Sequence, residues 1–419
     1  MIPKKPNHGQ GELFEVELQS LVKKNHPLVK LSKDLDWERF DREFGQSYCP
    51  THGRPGIATR LMVGLIYLKY LYNLSDEALI AQWLENPYWQ YFCGERYFQH
   101  EGPCDRSHLS RWRKRIGESG AQLLLSESLS LNHRKGFLKL RDLNQVYVDT
   151  TVQEKHISYP SEASLLNKAR EKLVKMAESA GLKLRQSYKR VGRLYMIKAH
   201  RYASARQWNR ARKQVRKLRT LLGRIVREVQ RKANQEQGAY FSNLLSLSQR
   251  LLCAETGSEK LYSLHEPQTE AIAKGKMYKP FEYGVKVSVV TTRRGGYVLG
   301  CKAIHGNPYD GHTLEEALSD AQNRLGRNLR GFVGVDLGYR GHGVKRTTLN
   351  VFHPRLKRMS KVQRTFVRAR SKVEAAISYL KRCFRMGRNF LKGSLGDIMN
   401  PLFAAAACNL SHAIRRSSA

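Results

Sequence analysis

Hydrophobic and polar positions along this chain follow two periods, and the period switches where one kind of element gives way to another. In residues 364–385, Phe366, Ala369, Val373, Ile377, Leu380 and Phe384 recur at steps of three and four. That spacing predicts one helix of about six turns with a single buried face. No Pro or Gly interrupts the run. A denser apolar helix is predicted over 59–72, through Leu61, Met62, Leu65, Ile66, Leu68 and Leu71. Ser75 reads as the N-cap of the next helix, with Asp76 and Glu77 in its first turn, and Asn86-Pro87 ends it. An aromatic cluster (Tyr88, Trp89, Tyr91, Phe92) follows, and then a helix capped by Asp105 or Ser107 that bears Leu109, Trp112 and Ile116. Residues 1–55 are polar and sparsely periodic, ending in the breaker Gly53-Arg54-Pro55-Gly56.

Alternation of period two appears at 143–152, a short strand whose apolar residues flank Asp149. A strand interior is a costly place for an acid unless something binds it. Residues 161–252 read as helical throughout. Strand character resumes at 283–292 with Val285, Val287 and Val289, turns at Arg293-Arg294-Gly295-Gly296, and returns over 297–304. Residues 312–325 form an amphipathic helix, 331–339 a strand ending with Asp336 at a Gly-rich bend, and 347–352 a last strand. This order predicts a mixed α/β fold: a sheet of about five strands with helices on its faces, matching the ribonuclease-H-like architecture. The strands bearing Asp149 and Asp336 are expected to be neighbours, with the late helix packed across their ends. The expected organisation is an N-terminal segment (1–55), a helical helix-turn-helix-like DNA-binding domain (56–140), and a catalytic domain from 141–160 and 280–395. A basic helical insertion (161–279) interrupts the last, and a C-terminal helix or tail (396–419) follows it.

Charge changes this picture. The chain has 419 residues, with 74 Lys and Arg against 36 Asp and Glu, a formal net charge of +38. Such a surplus repels itself in a compact fold unless a polyanion neutralises it, and nucleic acid is the default partner. A membrane surface fits poorly, because the basic residues lie on many segments without a lipidation signal. Between positions 181 and 232 there are eighteen Lys or Arg and one acid, Glu228. A solvated helix alternates its charges, so this segment reads as a helical hairpin along a nucleic-acid backbone, with Arg210, Arg212, Lys213, Arg216 and Lys217 as contacts. Arg111, Arg113, Lys114 and Arg115 are expected to be exposed on the helix after Asp105. They favour DNA contact over the other reading of that unit, a helical dimerisation module.

No run of eighteen apolar residues occurs, and the first residues lack the apolar core of a signal peptide. Seven scattered cysteines point to a reducing, cytoplasmic setting. Cys49 with His52 and Cys104 with His108 have spacings a zinc ion could use, but neither belongs to a doubled Cys-x-x-Cys framework, so thiols are the preferred reading.

The acid that matters most is Glu374, the only one between positions 355 and 392. Arg370, Glu374 and Lys381 share one face of the predicted helix. Two readings stand: an i,i+4 ion pair on a solvated face, or a carboxylate held for a metal ion and ringed by phosphate-holding cations. With Asp149 and Asp336 it forms a set of three acids that could converge. Three close carboxylates repel and protonate unless divalent cations neutralise them, and magnesium suits an all-oxygen site.

At this point the residues resemble a family: the bacterial insertion-sequence transposases of the Asp-Asp-Glu class, specifically the IS-five-like group. Gly53-Arg54-Pro55, Arg60-Leu61-Met62, Leu74-Ser75-Asp76-Glu77, residues 86–92 and residues 105–113 are similar to that group's amino-terminal domain. Val148-Asp149-Thr150-Thr151 is similar to its first catalytic motif, Tyr159-Pro160 to the segment after it, and residues 336–341 to the second motif. Arg370, Glu374 and Lys381 match the third signature, in which Val367 stands where the family usually has Tyr. The resemblance implies that Asp149, Asp336 and Glu374 hold two magnesium ions, with manganese as a substitute. It also implies water attack at each element end, then attack by the exposed 3′-hydroxyl on target DNA. Arg370, Lys381 and, more weakly, Arg340 would position the backbone. A homodimer that synapses two ends of double-stranded DNA in the bacterial nucleoid is expected. The competing readings are a catalytically inactive DNA-binding descendant, a metal-dependent nuclease without strand transfer, and an RNA- or ribosome-binding basic protein.

Overall fold

A computed structural model describes residues 16–49, 52, 55–253, 260–273, 279–344, 347–356 and 358–418. Gly53 and Arg54 of the expected breaker lie outside them. Two compact units result: Met1–Glu154 with Gly284–Ala419, and Lys155–Tyr283.

The first unit is built on a mixed sheet. Five of the seven strands of that sheet frame the site: β1 (Gln145–Lys155), β2 (Phe281–Thr292), β3 (Val298–Ile304), β4 (Gly331–Gly334) and β5 (Leu349–Phe352). The spatial order is β3-β2-β1-β4-β5. β2 runs antiparallel to both β1 and β3, with Asp149 opposite Val289. β4 and β5 run parallel to β1, with Val146 opposite Val333 and Gly331 opposite Leu349. The β2–β3 hairpin closes through Gly295 and Gly296, whose φ of 77° and 64° suit glycine and strain other residues. Val285, Val287 and Val289 are fully buried, and Leu314, Ala317, Leu318 and Ala321 of the helix Asp310–Leu325 pack on the face formed by Val146, Val148, Val333 and Val335.

Three expectations change here. Residues 1–55 are not uniformly irregular: the helices Pro27–Asp34 and Trp37–Gly45 bury Leu28, Leu31, Phe40 and Phe44. Each is too short to show periodicity in the sequence. The N-terminal helices also do not form a core of their own. Leu65, Ile66, Trp83 and Phe92 share one hydrophobic cluster with Val287, Val289 and the last helix. That helix, Gly393–Ser418, is an interior element rather than a tail. Leu402, Phe403, Ala406 and Leu410 are buried. Its two asparagines satisfy groups across the core. Asn409 accepts from the Val298 N–H and donates to the Val298 carbonyl, and Asn400 accepts from the Tyr70 hydroxyl and donates to Gln153.

Residues 364–385 also depart from expectation. They form two helices, Lys361–Arg368 and Ser371–Cys383, separated at Ala369–Arg370. The backbone tightens there into i→i−3 hydrogen bonds, from Arg370 to Val367 and from Val373 to Arg370. No Gly or Pro forces the break. Phe366 and Val373 are both buried, and Arg370, at the break, donates to Asp149 on β1.

The second unit contains four helices, Glu162–Ser179, Lys189–Ser204, Trp208–Lys232 and Gln235–Cys253; the middle two form the helical hairpin expected over residues 181–232. Leu166, Leu173, Leu222, Ile225, Val229 and Phe241 form its core. The fully buried Arg170 donates to the Ser187 carbonyl, Asn167 and Glu171, and fills the space above Gly192. Glu228, the lone acid of the basic stretch, caps the Arg185 N–H and pairs with Lys232, which hold its carboxyl below the usual range.

Candidate active site

Asp149 lies on the central strand, and the parallel strand β4 runs into Asp336 one residue beyond Val335. Asp336 caps a single turn, Leu337–Tyr339, by accepting from the Gly338 N–H at 2.9 Å. The two acids thus come side by side: Tyr147 pairs with Gly334 in parallel register, and each acid stands two residues further on. Glu374 approaches from the first turn of Ser371–Cys383. Arg370 ties two of the three together: Nη1 lies 3.2 Å from Asp149 Oδ2 and Nη2 lies 2.6 Å from Glu374 Oε1. The i,i+4 pair exists and Glu374 is 56% exposed, but Arg370 is only 20% exposed because its other nitrogen is committed to Asp149.

The electrostatics agree with that crowding. Burial, and then the charge of Asp336, push the Asp149 carboxyl up to about 6, against the pull of Arg370 and of the Thr150 N–H. Glu374 acts in the same direction as Asp336. Tyr339 is fully buried beside these acids, and burial with their charges raises its phenol well above the ordinary value.

A fourth acid, absent from the sequence reading, joins the neighbourhood. A Cβ on Gly338 would meet Asp336 Oδ1 at 3.1 Å and Asp310 Oδ2 at 3.3 Å, so glycine is what lets both carboxylates close over that backbone. Lys286 on β2 holds Asp310 at 2.8 Å and also donates to the Pro308 carbonyl. The only hint in the sequence was a lysine in the middle of a valine-rich strand. Even so, among the described residues no three His, Cys, Asp or Glu side chains stand close enough together to hold one metal ion. The donor set is oxygen-only and suits magnesium, while Arg370 occupies the position between Asp149 and Glu374.

The expected cationic residues divide. Arg340 is exposed beside the Asp336 turn, and Lys381 is half-buried two turns after Glu374. Arg111, Lys114 and Arg115 are exposed, the last lying over the Tyr48 ring at 4.5 Å. Arg113 is not a surface residue. It is 6% exposed and grips Asp76 with both nitrogens, at 3.0 and 2.8 Å, while Lys69 approaches the same carboxylate at 2.6 Å. Helix geometry turns position 113 inward beside Trp112, so its assignment as a DNA contact is corrected to a structural one. In the second unit Arg210, Arg212, Lys213, Arg216 and Lys217 are all exposed along Trp208–Lys232.

Of the two cysteine–histidine pairs, Cys104 and His108 are occupied otherwise. Burial pushes the Cys104 thiol up to about 11, and His108 Nδ1 accepts from the Asp105 N–H in a capping box. Among the described residues, no helix is long and apolar enough to cross a membrane.

Residues 16–115 match the family model described as Transposase domain (DUF772). The chain is also 46% identical over 208 residues, half of its length, to the whole of a Rhizobium meliloti protein described as uncharacterized protein ORF8 in nfe locus. No solved structure matches. The identity across the full length of that relative shows that the chain belongs to the same family as it, and residues 16–115 are similar to a transposase domain.

Proposed function

We propose that the protein is a DNA transposase of the Asp-Asp-Glu class, whose phosphodiester chemistry takes place around Asp149, Asp336 and Glu374. The observation that carries this reading is the meeting of Asp149 and Glu374 on one guanidinium, 221 residues apart for Asp149 and Arg370, with Asp336 close enough to raise the Asp149 carboxyl. A structural ion pair needs only one acid. The strand order β3-β2-β1-β4-β5, with β4 and β5 parallel to β1, supports a ribonuclease-H-like catalytic unit. Asp149, Asp336 and Glu374 would hold magnesium, which when bound activates an attacking oxygen and stabilises a leaving one. The chain's own part is to bring these oxygens together and to orient Asp336 through its Gly338 bond. Lys381, Arg340 and the freed face of Arg370 would grip the backbone on either side of the scissile bond. Arg111, Lys114 and Arg115, with the basic row from Arg210 to Lys217, would carry the duplex DNA. Two element ends brought together imply a homodimer in the synaptic complex.

The experiment supplies purified protein with a hairpin donor carrying the element's inverted-repeat ends and a target plasmid, in magnesium. Joined donor–target products are expected. Cleavage without joining would reduce the activity to that of a nuclease, and neither product would leave a DNA-binding protein.

A further inference from the structure

Two of the three acids of the candidate site already share a cation of the chain itself. Arg370 spends two nitrogens on two carboxylates, Asp149 and Glu374. It stands at the break between Lys361–Arg368 and Ser371–Cys383, where the chain tightens. A guanidinium bridging two carboxylates stands between them, and among the described residues no three such side chains lie close enough to hold one ion. A guanidinium also binds phosphate oxygens with the same planar fork it offers carboxylates. It therefore has two exclusive sets of partners within reach of one another.

Building on the metal-dependent reading above, we infer that Arg370 is the resident counter-cation of the acid cluster, and that it leaves Asp149 and Glu374 for a DNA phosphate, thereby admitting divalent metal. Metal and DNA then bind with positive coupling. Phosphate draws the guanidinium away and uncovers the acids, and metal on the acids releases the guanidinium for phosphate. Linkage makes the effect reciprocal. Free protein holds metal weakly, so the site is armed only on its substrate.

The test is calorimetric titration of manganese chloride into the full chain, alone and saturated with a short duplex, for the wild type, Arg370→Gln, Arg370→Lys and Lys381→Gln. Melting curves accompany each. The wild type is expected to bind manganese weakly alone and about tenfold more tightly on DNA, within the usual range of coupling. Arg370→Gln should bind tightly without DNA and gain little from it. Arg370→Lys keeps the charge but cannot fork across two carboxylates, so it should fall between, and it serves if the glutamine variant fails to fold. Lys381→Gln removes the same charge from the helix that follows the break. If it tightens manganese as much as Arg370→Gln, a general field is responsible and the bridge is not. Equal manganese affinity in the wild type and Arg370→Gln without DNA overturns the inference while leaving the metal site standing. Absence of manganese binding in every protein, with and without DNA, overturns the metal-dependent reading as well.

Discussion

Replacing Arg113 with alanine separates the folded architecture from the nucleic-acid surface, because its neighbours in the sequence point the other way. Arg113 and Asp76 form a two-point pair with side-chain exposures of 8% and 19%, sheltered enough that solvent screens little of it. Burial alone would raise the Asp76 carboxyl, yet Arg113 and Lys69 hold it down to about 2. A shift of that size from the usual range corresponds to about 2.5 kcal/mol. Removing one partner of a buried pair costs about 3–5 kcal/mol when the other charge is stranded. Here Lys69 remains at 2.6 Å, so about 2–3 kcal/mol is expected, or a fall in Tm of roughly 5–10 °C. The pH dependence has a definite sign. A carboxyl whose folded pKa is depressed stabilises the protein above its unfolded value, and this contribution is lost as pH falls through the folded one. The deficit of Arg113→Ala should therefore be full at neutral pH and shrink between about pH 4 and about pH 2. Calorimetric melting across that range, beside DNA affinity measured on folded protein at neutral pH, gives the answer. A variant that melts with the wild type but loses DNA affinity would refute the assignment and return Arg113 to the surface.

Three further outcomes are expected. Changing Arg210, Arg212, Lys213, Arg216 and Lys217 to alanine should weaken binding to all DNA and flatten the log–log salt slope by about one per lost phosphate contact; an unchanged slope removes that helix from the interface. Asp149→Ala, Asp336→Ala and Glu374→Ala should each abolish strand cleavage while DNA affinity in EDTA stays equal or rises slightly, since the acids face phosphate; normal cutting by Glu374→Ala protein would remove it from the site. Purified protein should carry no stoichiometric zinc after dialysis, and elemental analysis finding about one ion per chain, lost from Cys49→Ala or Cys104→Ala, would contradict the preferred thiol reading.

The strands were legible because their valines alternate against polar residues and the Gly295-Gly296 turn has chemistry of its own. Asp149 and Asp336 were legible for a related reason, as acids placed where a strand normally excludes them. Other features leave no such trace. The break at Ala369–Arg370 needs neither Gly nor Pro, since a local shift to tighter hydrogen bonds interrupts the helix while the apolar spacing stays readable as continuous. Arg113 belongs to a run of basic residues and follows a buried Trp112, so composition suggested surface while only the tertiary position of Asp76 decides otherwise. Asp310 was missed because its neighbour Gly338 lies 28 positions away (338 − 310) and only folding brings them together. The short helices near Pro27 and Trp37 were missed because a two-turn segment offers too few apolar positions to define a face.

The helix Gly393–Ser418 has a consequence for biosynthesis. It fills the middle of the first unit, where Asn409 bonds Val298 and Ser128 and Asn400 bonds Tyr70 and Gln153. None of those groups finds its partner until this helix has left the ribosome. The second unit is one continuous stretch, Lys155–Tyr283, and can close while translation continues. The emerging chain would thus display its basic bundle first, with the acid-bearing sheet lacking its central helix. The core of the first unit is therefore completed only after the bundle has closed.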